Sequence, residues 1–440
     1  MNTQFVFESK QKTVLGALIV FGFLCLGATY FIDESGSYHM RFWTNLLHNS
    51  TFFTGIAMAA LFLYTAKMTA YSGWQTTIKR IWEAFYLFLI VGVVLMGIIC
   101  FANWGHLSHI YHWNDVAAVA NDKLLTHKSA FLNNKWYSLA TFGFVGIWIF
   151  FALKLRSLSI QEDNEGNYAA GDYSFHRKMK IYSATFLPIF GYTSAAVIWQ
   201  WIMSVDGHWY STLYAWYTTA SLVVTMFACT ILMIIYLKSK DYLEYVTVEH
   251  LHDLGKLTFG ISVFWTYCWF SQFMLIWYAN VGEETQYFNL RVTQYPVLYW
   301  ANLIMNFVLP FLILIRNDTK RKYGSLIFVS ILIIFGHWWD FFQMIKPGAW
   351  HTVTELKEHA AHAAHAAEGG AVAGHEAAAH GAGHAVAFVE GFTLPGLLEL
   401  GTFVGFIALF IYCVFYQLSK ASLLPKNDPY VQESMAHHVM

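Results

Sequence analysis

The chain has 440 residues, of which 57% are hydrophobic, 19% aromatic and only 12% charged, a balance that excludes a soluble globular domain of this length. Its formal net charge of −1 excludes a nucleic-acid-binding face, which needs concentrated basic residues.

Ten apolar stretches follow one another, near 13–32, 43–66, 81–103, 136–155, 181–204, 212–237, 256–280, 295–315, 323–345 and 397–418. Each approaches the roughly 20 residues that a helix needs to cross a hydrocarbon core of about 30 Å. The expected fold is therefore an all-α polytopic membrane protein, a single integral membrane domain over 1–440 in contact with the lipid bilayer. The first stretch follows Lys10 and Lys12 as a signal peptide would, but it is long and lacks a small-x-small site after it, so it is read as a retained span. An even number of spans puts both termini on one side. Of the 26 Lys and Arg, 19 fall on that side, including Lys79, Arg80, Arg177, Lys178, Lys180 and Arg316; the other side holds Arg41, Lys123, Lys128, Lys135, Arg291, Lys346 and Lys357. Lys and Arg are retained in the cytoplasm, so the bias predicts cytoplasmic termini.

All five cysteines, Cys25, Cys100, Cys229, Cys268 and Cys413, lie inside predicted spans, with no C-x-x-C pair and no haem-attachment motif. The chain offers no iron–sulfur ligand set and no covalent haem site.

Two long segments on the side away from the termini interrupt the pattern. The first, 103–135, carries His106, His109 and His112, which would share one face if the segment were helical. A metal site needs more support than this trio has, since no carboxylate or cysteine accompanies it, and no metal is assigned. The second, 346–394, contains an Ala/Gly/His run from His359 to Ala387 with His359, His362, His365, His375, His380 and His384. Such composition cannot bury a core, so a flexible external loop or a marginal Ala-rich helix is expected.

Ionisable groups in or near the spans are costly in lipid and hence functional candidates. His337 and Asp340 lie three apart in span 9, on one helix face; Asp340 falls about 27 Å above Lys322 at 1.5 Å per residue, close to the far surface. His48 and Asn49 of span 2, Asp206 and His208 after span 5, and Glu399 at the start of span 10 reach a similar level. Such a layer suits quinol oxidation, which needs a base for each of two protons. The alternative is a set of interhelical hydrogen bonds that satisfy one another. At the terminal side, Glu83 follows Lys79 and Arg80, where a salt bridge is expected, and Glu244, Glu249, His250, His252 and Asp253 precede span 7 as an exposed turn. Glu83, Asp253 and Glu399 are candidates for a proton path between the two layers.

The run Trp201-Ile202-Met203-Ser204-Val205-Asp206-Gly207-His208-Trp209-Tyr210-Ser211-Thr212-Leu213-Tyr214 resembles a stretch of the NrfD-like quinone-binding membrane subunits of alternative complex III. Gln272-Phe273-Met274-Leu275-Ile276-Trp277-Tyr278-Ala279-Asn280, followed by Glu283-Glu284-Thr285, resembles a second segment of that family, as do Pro310 and the basic turn from Arg316 to Lys322. Gly207 stands where many relatives carry proline, and the Ala/Gly/His segment departs from the usual short connection. The resemblance implies two four-helix bundles, spans 2–5 and 6–9, with spans 1 and 10 peripheral. It also implies a subunit of a quinol:cytochrome c or quinol:terminal oxidase oxidoreductase in a bacterial inner membrane. The partners would be an iron–sulfur subunit, haem c subunits and a homologous sister subunit.

In that reading His48, Asp206, His208, His337 and Asp340 form a quinol or menaquinol site near the periplasmic surface, with Trp338, Trp339 and Asn49 around the ring. This chain would carry no haem or iron–sulfur cluster of its own. Alternatively the sister subunit oxidises quinol and this one is a scaffold. A secondary transporter is the rival of another class, although Pro188, Gly191 and Pro310 are scattered and read as kinks. A cytochrome b lacks facing histidine pairs here, and a di-iron oxygenase would need its histidine clusters on one side.

Overall fold

The computed structural model describes residues 3–168, 171–367 and 388–438. Among the described residues ten helices are long and apolar enough to cross a membrane. They are α1 Ser9–Phe31, α2 Gly36–Thr69, α3 Thr76–Trp104, α4 Asn134–Glu165, α5 Ser174–Val205, α6 Leu213–Lys238, α7 Val248–Ala279, α8 Pro296–Leu314, α9 Tyr323–Ala367 and α10 Leu397–Leu418. No strand occurs among the described residues. Helices suit this sequence because lipid offers no partner for a free backbone N–H or C=O, and a helix satisfies its own.

Helices α2 to α5 close into one ring of contacts and α6 to α9 into a second. The rings meet where α2 packs on α6 and α9. Helices α2 and α6 are consequently the most enclosed, 89% and 78% buried over their apolar windows, against 22% for α1. Polar side chains follow that enclosure: Thr44, Asn45, His48, Asn49, Thr51 and Thr54 on α2, and Thr218, Ser221 and Thr225 on α6, are all buried. Helices α1 and α10 pair with each other outside the rings. Gly22 and Gly405 bring their backbones together at the crossing, where a Cβ on either glycine would overlap the other's Cα.

Both termini lie at one end of the bundle, where Leu423 N donates to Thr3 O at 2.7 Å. The C-terminal tail then crosses this end. Ser434 bonds Thr77 and Trp74 O, and His437 Nε2 lies 2.9 Å from Asp253 Oδ2. The tail therefore covers Asp253 and His250 of the expected exposed turn; His250 and His252 are buried, whereas Glu244 is exposed as expected. Asp428 of the tail pairs with the buried Lys79. Burial pushes its carboxyl up, but the Lys79 ammonium outweighs this and holds it below the ordinary aspartate range.

At the far end two expectations change. Helix α9 does not stop near 345: it continues through Pro347 to Ala367, 45 residues in all, so the segment after Lys346 begins as helix. Glu355 of this extension lies 3.7 Å from His112 Nδ1 and Lys357 Nζ donates to Glu34 O, and Val353 and Thr352 are buried. The positions of His359, His362 and His365 lie on its last turns, while His375, His380 and His384 lie outside the described residues. His106, His109 and His112 do not share a helix face. His106 has φ +52° and His112 opens a single 3-10 turn, His112–Asn114.

The α1/α10 crossing generates a stability prediction. Gly405→Leu should destabilise the protein by about 1–3 kcal/mol, the usual cost of overpacking, whereas Gly16→Leu, with open space around its Cβ position, should not. Thermal unfolding of the two variants in one detergent checks this; equal midpoints would show that the crossing is not tight.

Candidate functional site

Within the α6–α9 ring, Asp340 is fully buried and surrounded by neutral donors. Asn302 Nδ2 (2.8 Å) and the Tyr217 hydroxyl donate to Oδ1. Trp265 Nε1 (3.2 Å) and Ser221 Oγ (3.3 Å) donate to Oδ2. Helices α6, α7, α8 and α9 each supply part of this cradle. His337, one turn below on α9, places Nδ1 4.0 Å from Asp340 Oδ2 and 2.8 Å from Ser221 Oγ. Ser221 has one proton to give. If it goes to Asp340, His337 Nδ1–H donates to Ser221, and Nε2, buried and unpartnered among the described residues, carries the bare lone pair. A carboxylate and an imidazole thus share one hydroxyl, with an open basic nitrogen beside them.

The cradle depends on a distortion of α8. A π-turn at Ile304–Val308 turns Asn306 so that its Nδ2 reaches both Asn302 Oδ1 (2.6 Å) and Gly336 O (2.9 Å). Asn302 is thereby oriented toward Asp340. Such single turns recur at functional sites. Gly336 makes the approach feasible, since a Cβ there would overlap Asn306 Oδ1.

The other expected members of the far-end layer fall into three separate groups. Asp206 and His208 line a surface cavity of about 250 Å³ together with His112, Glu283, His351 and Glu355. There Asp206 Oδ2 accepts from Arg291 (2.8 Å) and His208 Nε2 lies 2.5 Å from Asp122 Oδ2. Lys128 Nζ donates to the carbonyls of Gly207 and His208. Burial lowers the His112 pKa. Burial raises that of Asp122, but the His208 ring and the N–H groups of Leu125 and Leu124 prevail and hold the carboxyl below its usual value.

His48, Asn49 and Trp338 form a second group on the α2/α9 seam. His48 Nε2 donates to Trp338 O (2.8 Å), Trp338 Nε1 donates to Asn49 Oδ1 (3.0 Å), and the indole stacks on His48 and Phe403 at 4.8 and 4.6 Å. Trp338 and Asn49 are thus engaged with one another, and Trp339 Nε1 donates to Leu298 O at 3.1 Å. In the third group, Glu399 receives two bonds from Arg41, at 2.8 and 2.9 Å, and one from Asn45. At the terminal end Glu83 is held by Arg80 (2.7 Å), Arg156 and Ser159 (2.6 Å), the expected salt bridge extended by a second arginine. Among the described residues no His, Cys, Asp and Glu side chains converge as a metal site.

A column of rings joins the cavity to the buried Asp340. Tyr287, at the cavity wall, stacks on Trp209 at 3.8 Å; Trp209 abuts Tyr214 at 5.6 Å, Tyr214 abuts Tyr217 at 6.0 Å, and Tyr217 bonds Asp340. Arg291 locks the top of the column, resting on Tyr287 at 3.5 Å while donating to the carbonyls of Tyr287, Gln343 and Met344. Tyr217, Ser221, Trp265, Asn302, Asn306 and Arg291 were not anticipated; the Asn302/Asn306 pair, four apart in an apolar span, is the one local signal that could have revealed them.

No protein-family model and no curated protein matches the chain.

Gly336→Ala should displace Asn306 and unseat Asn302 from Asp340, at a cost of about 1–3 kcal/mol in stability. A thermal midpoint equal to that of the unaltered protein would show that the π-turn does not set the cradle.

Proposed function

We propose that this chain is a membrane subunit of a respiratory quinol-oxidising complex, resembling the NrfD-like subunits of alternative complex III, and that its α6–α9 ring handles protons released from quinol. The observation that carries the reading is the Asp340–Ser221–His337 cluster, a carboxylate and an imidazole sealed in a membrane bundle without a Lys or Arg partner among the described residues. A structural carboxylate in lipid is normally matched by a cation, as Glu83 and Glu399 are here. Among the described residues Asp340 is bonded only by neutral donors, with a histidine beside it.

In this reading quinol, menaquinol being one form, delivers its hydroxyl protons at the cavity bounded by Asp206 and His208 near the periplasmic surface. The tyrosine hydroxyls of the ring column carry them between cavity and cluster. The iron–sulfur subunit, haem c subunits and a sister membrane subunit of a bacterial inner-membrane assembly would take the electrons. Asp206 and Arg291 shape the entrance, and Asp340 with His337 holds the proton.

A scaffold role is the second reading. It is favoured by the burial of Asp340 away from the cavity and by the ion clusters around Glu83 and Glu399, which bind helices together. The transporter reading gains less: α3 is interrupted at Leu87 and Phe88, yet both keep helical backbone angles, so no unwound segment opens.

Asp340→Asn in the intact complex separates these readings. The proton-handling reading expects quinol:cytochrome c turnover to fall by roughly 100-fold or more, the usual contribution of a positioned acid or base, with assembly on a native gel unchanged. Full turnover would leave the chain a scaffold.

A further inference from the structure

Lys346 on α9 is fully buried, and none of the groups discussed above uses it. Its Nζ donates to Thr44 Oγ1 at 2.8 Å, the single hydrogen-bond acceptor it has among the described residues. That hydroxyl spends its own proton on Met40 O at 2.6 Å, so Lys346 must be the donor. Two phenyl rings complete the surroundings, Phe392 at 4.9 Å and Phe342 at 5.6 Å from Nζ.

An ammonium carries three N–H donors, and in a sealed interior the two left over are expensive. The nearby carboxylates do not supply the missing acceptors. Glu399 on α10 is bound by Arg41, Asn45 and Gly396 N. Glu390 in the segment before α10 pairs with Arg41, and Asp33 in the α1/α2 connection accepts from the backbone of Ser35 and Arg41. From α2, the charged or titratable groups facing the site are Arg41 and His48. Along this face of α2, Asn45 Oδ1 and His48 Nδ1 are buried acceptors without donors among the described residues. His48 and Lys346 share Phe342 as a neighbour, at 6.0 Å for the His48 ring. The junction of α2, α9 and α10 therefore holds surplus donors on Lys346 and a surplus acceptor on His48, which follows the Lys346 partner Thr44 by four residues, about 6 Å along α2. Such a mismatch is met by bound water, and it leaves a proton free to move between an amine and an imidazole.

We propose that Lys346 is a proton-exchanging group of a second polar centre, distinct from Asp340, passing its proton from Nζ through water to His48 Nδ1 and recovering it by the same route. The transfer is balanced: the ammonium becomes an amine as the neutral imidazole becomes imidazolium. Thr44 fixes the lysine, and Arg41 keeps Glu399 from capturing it.

The test uses the full chain with ¹⁵N-lysine, reconstituted in lipid bilayers and followed by solid-state NMR from mildly acidic to mildly alkaline pH. One lysine Nζ signal, absent from Lys346→Gln, should cross from the ammonium to the amine position, while the signal of the surface residue Lys357 stays ammonium. Should Lys346→Gln fail to insert, Thr44→Val identifies the same signal by removing its acceptor and shifting it. A Lys346 signal that stays in one form throughout would overturn the proposal. No quinol is involved, so the outcome is independent of the proposed respiratory role.

Discussion

Inside a membrane a polar side chain has no water to fall back on, and each one must find its partner in the protein. That requirement organises this molecule more than apolar packing does, because lipid is as apolar as leucine and gives helices little reason to associate. Helix α2 carries the longest run of buried polar side chains, and it sits with α6 at the centre with the other helices around them. The charged residues follow the same logic: Glu83 with two arginines and Glu399 with Arg41 close into matched sets that hold helices from distant parts of the chain together.

Against that background the informative groups are those left unmatched. Among the described residues Asp340 receives four hydrogen bonds from four different residues and has no cation, and His337 beside it keeps one nitrogen free. Lys346 is the reverse case, a cation with one acceptor. Both lie on α9, six residues apart, facing different neighbours: Asp340 looks into the α6–α9 ring, Lys346 toward α2 and α10. The long α9 therefore links the interior of one ring to the seam between rings, and its extension beyond the bundle reaches the cavity through His351 and Glu355.

Hydropathy alone makes the ten spans legible, because each helix must be apolar over a bilayer's thickness whatever it packs against. The pairing of His337 with Asp340 is equally local, a matter of three residues on one helix. What cannot be read is set by contacts between spans. His48, Asp206, Asp340 and Glu399 read as one layer in the sequence, yet Asp206 sits beside Gly348, about 12 Å farther along α9 than Asp340 at 1.5 Å per residue, and the four face different environments. Arg156 reaches Glu83 from another helix, and the tail covers Asp253 from the end of the chain. The cradle of Asp340 was invisible because Tyr217, Ser221 and Trp265 look like ordinary span residues until the ring closes. The end of α9 is obscured for another reason: Lys346 and Pro347 resemble a helix boundary, but Thr352 and Val353 beyond them are buried by other parts of the chain.

The central claim is that Asp340 exchanges its proton when quinol is oxidised. Infrared difference spectra of the intact complex, recorded between its quinol-reduced and oxidised states in H₂O and D₂O, test it most directly. The account predicts a carboxyl C=O band that shifts in D₂O and disappears in Asp340→Asn. A spectrum in which every carboxyl band survives that substitution would contradict it.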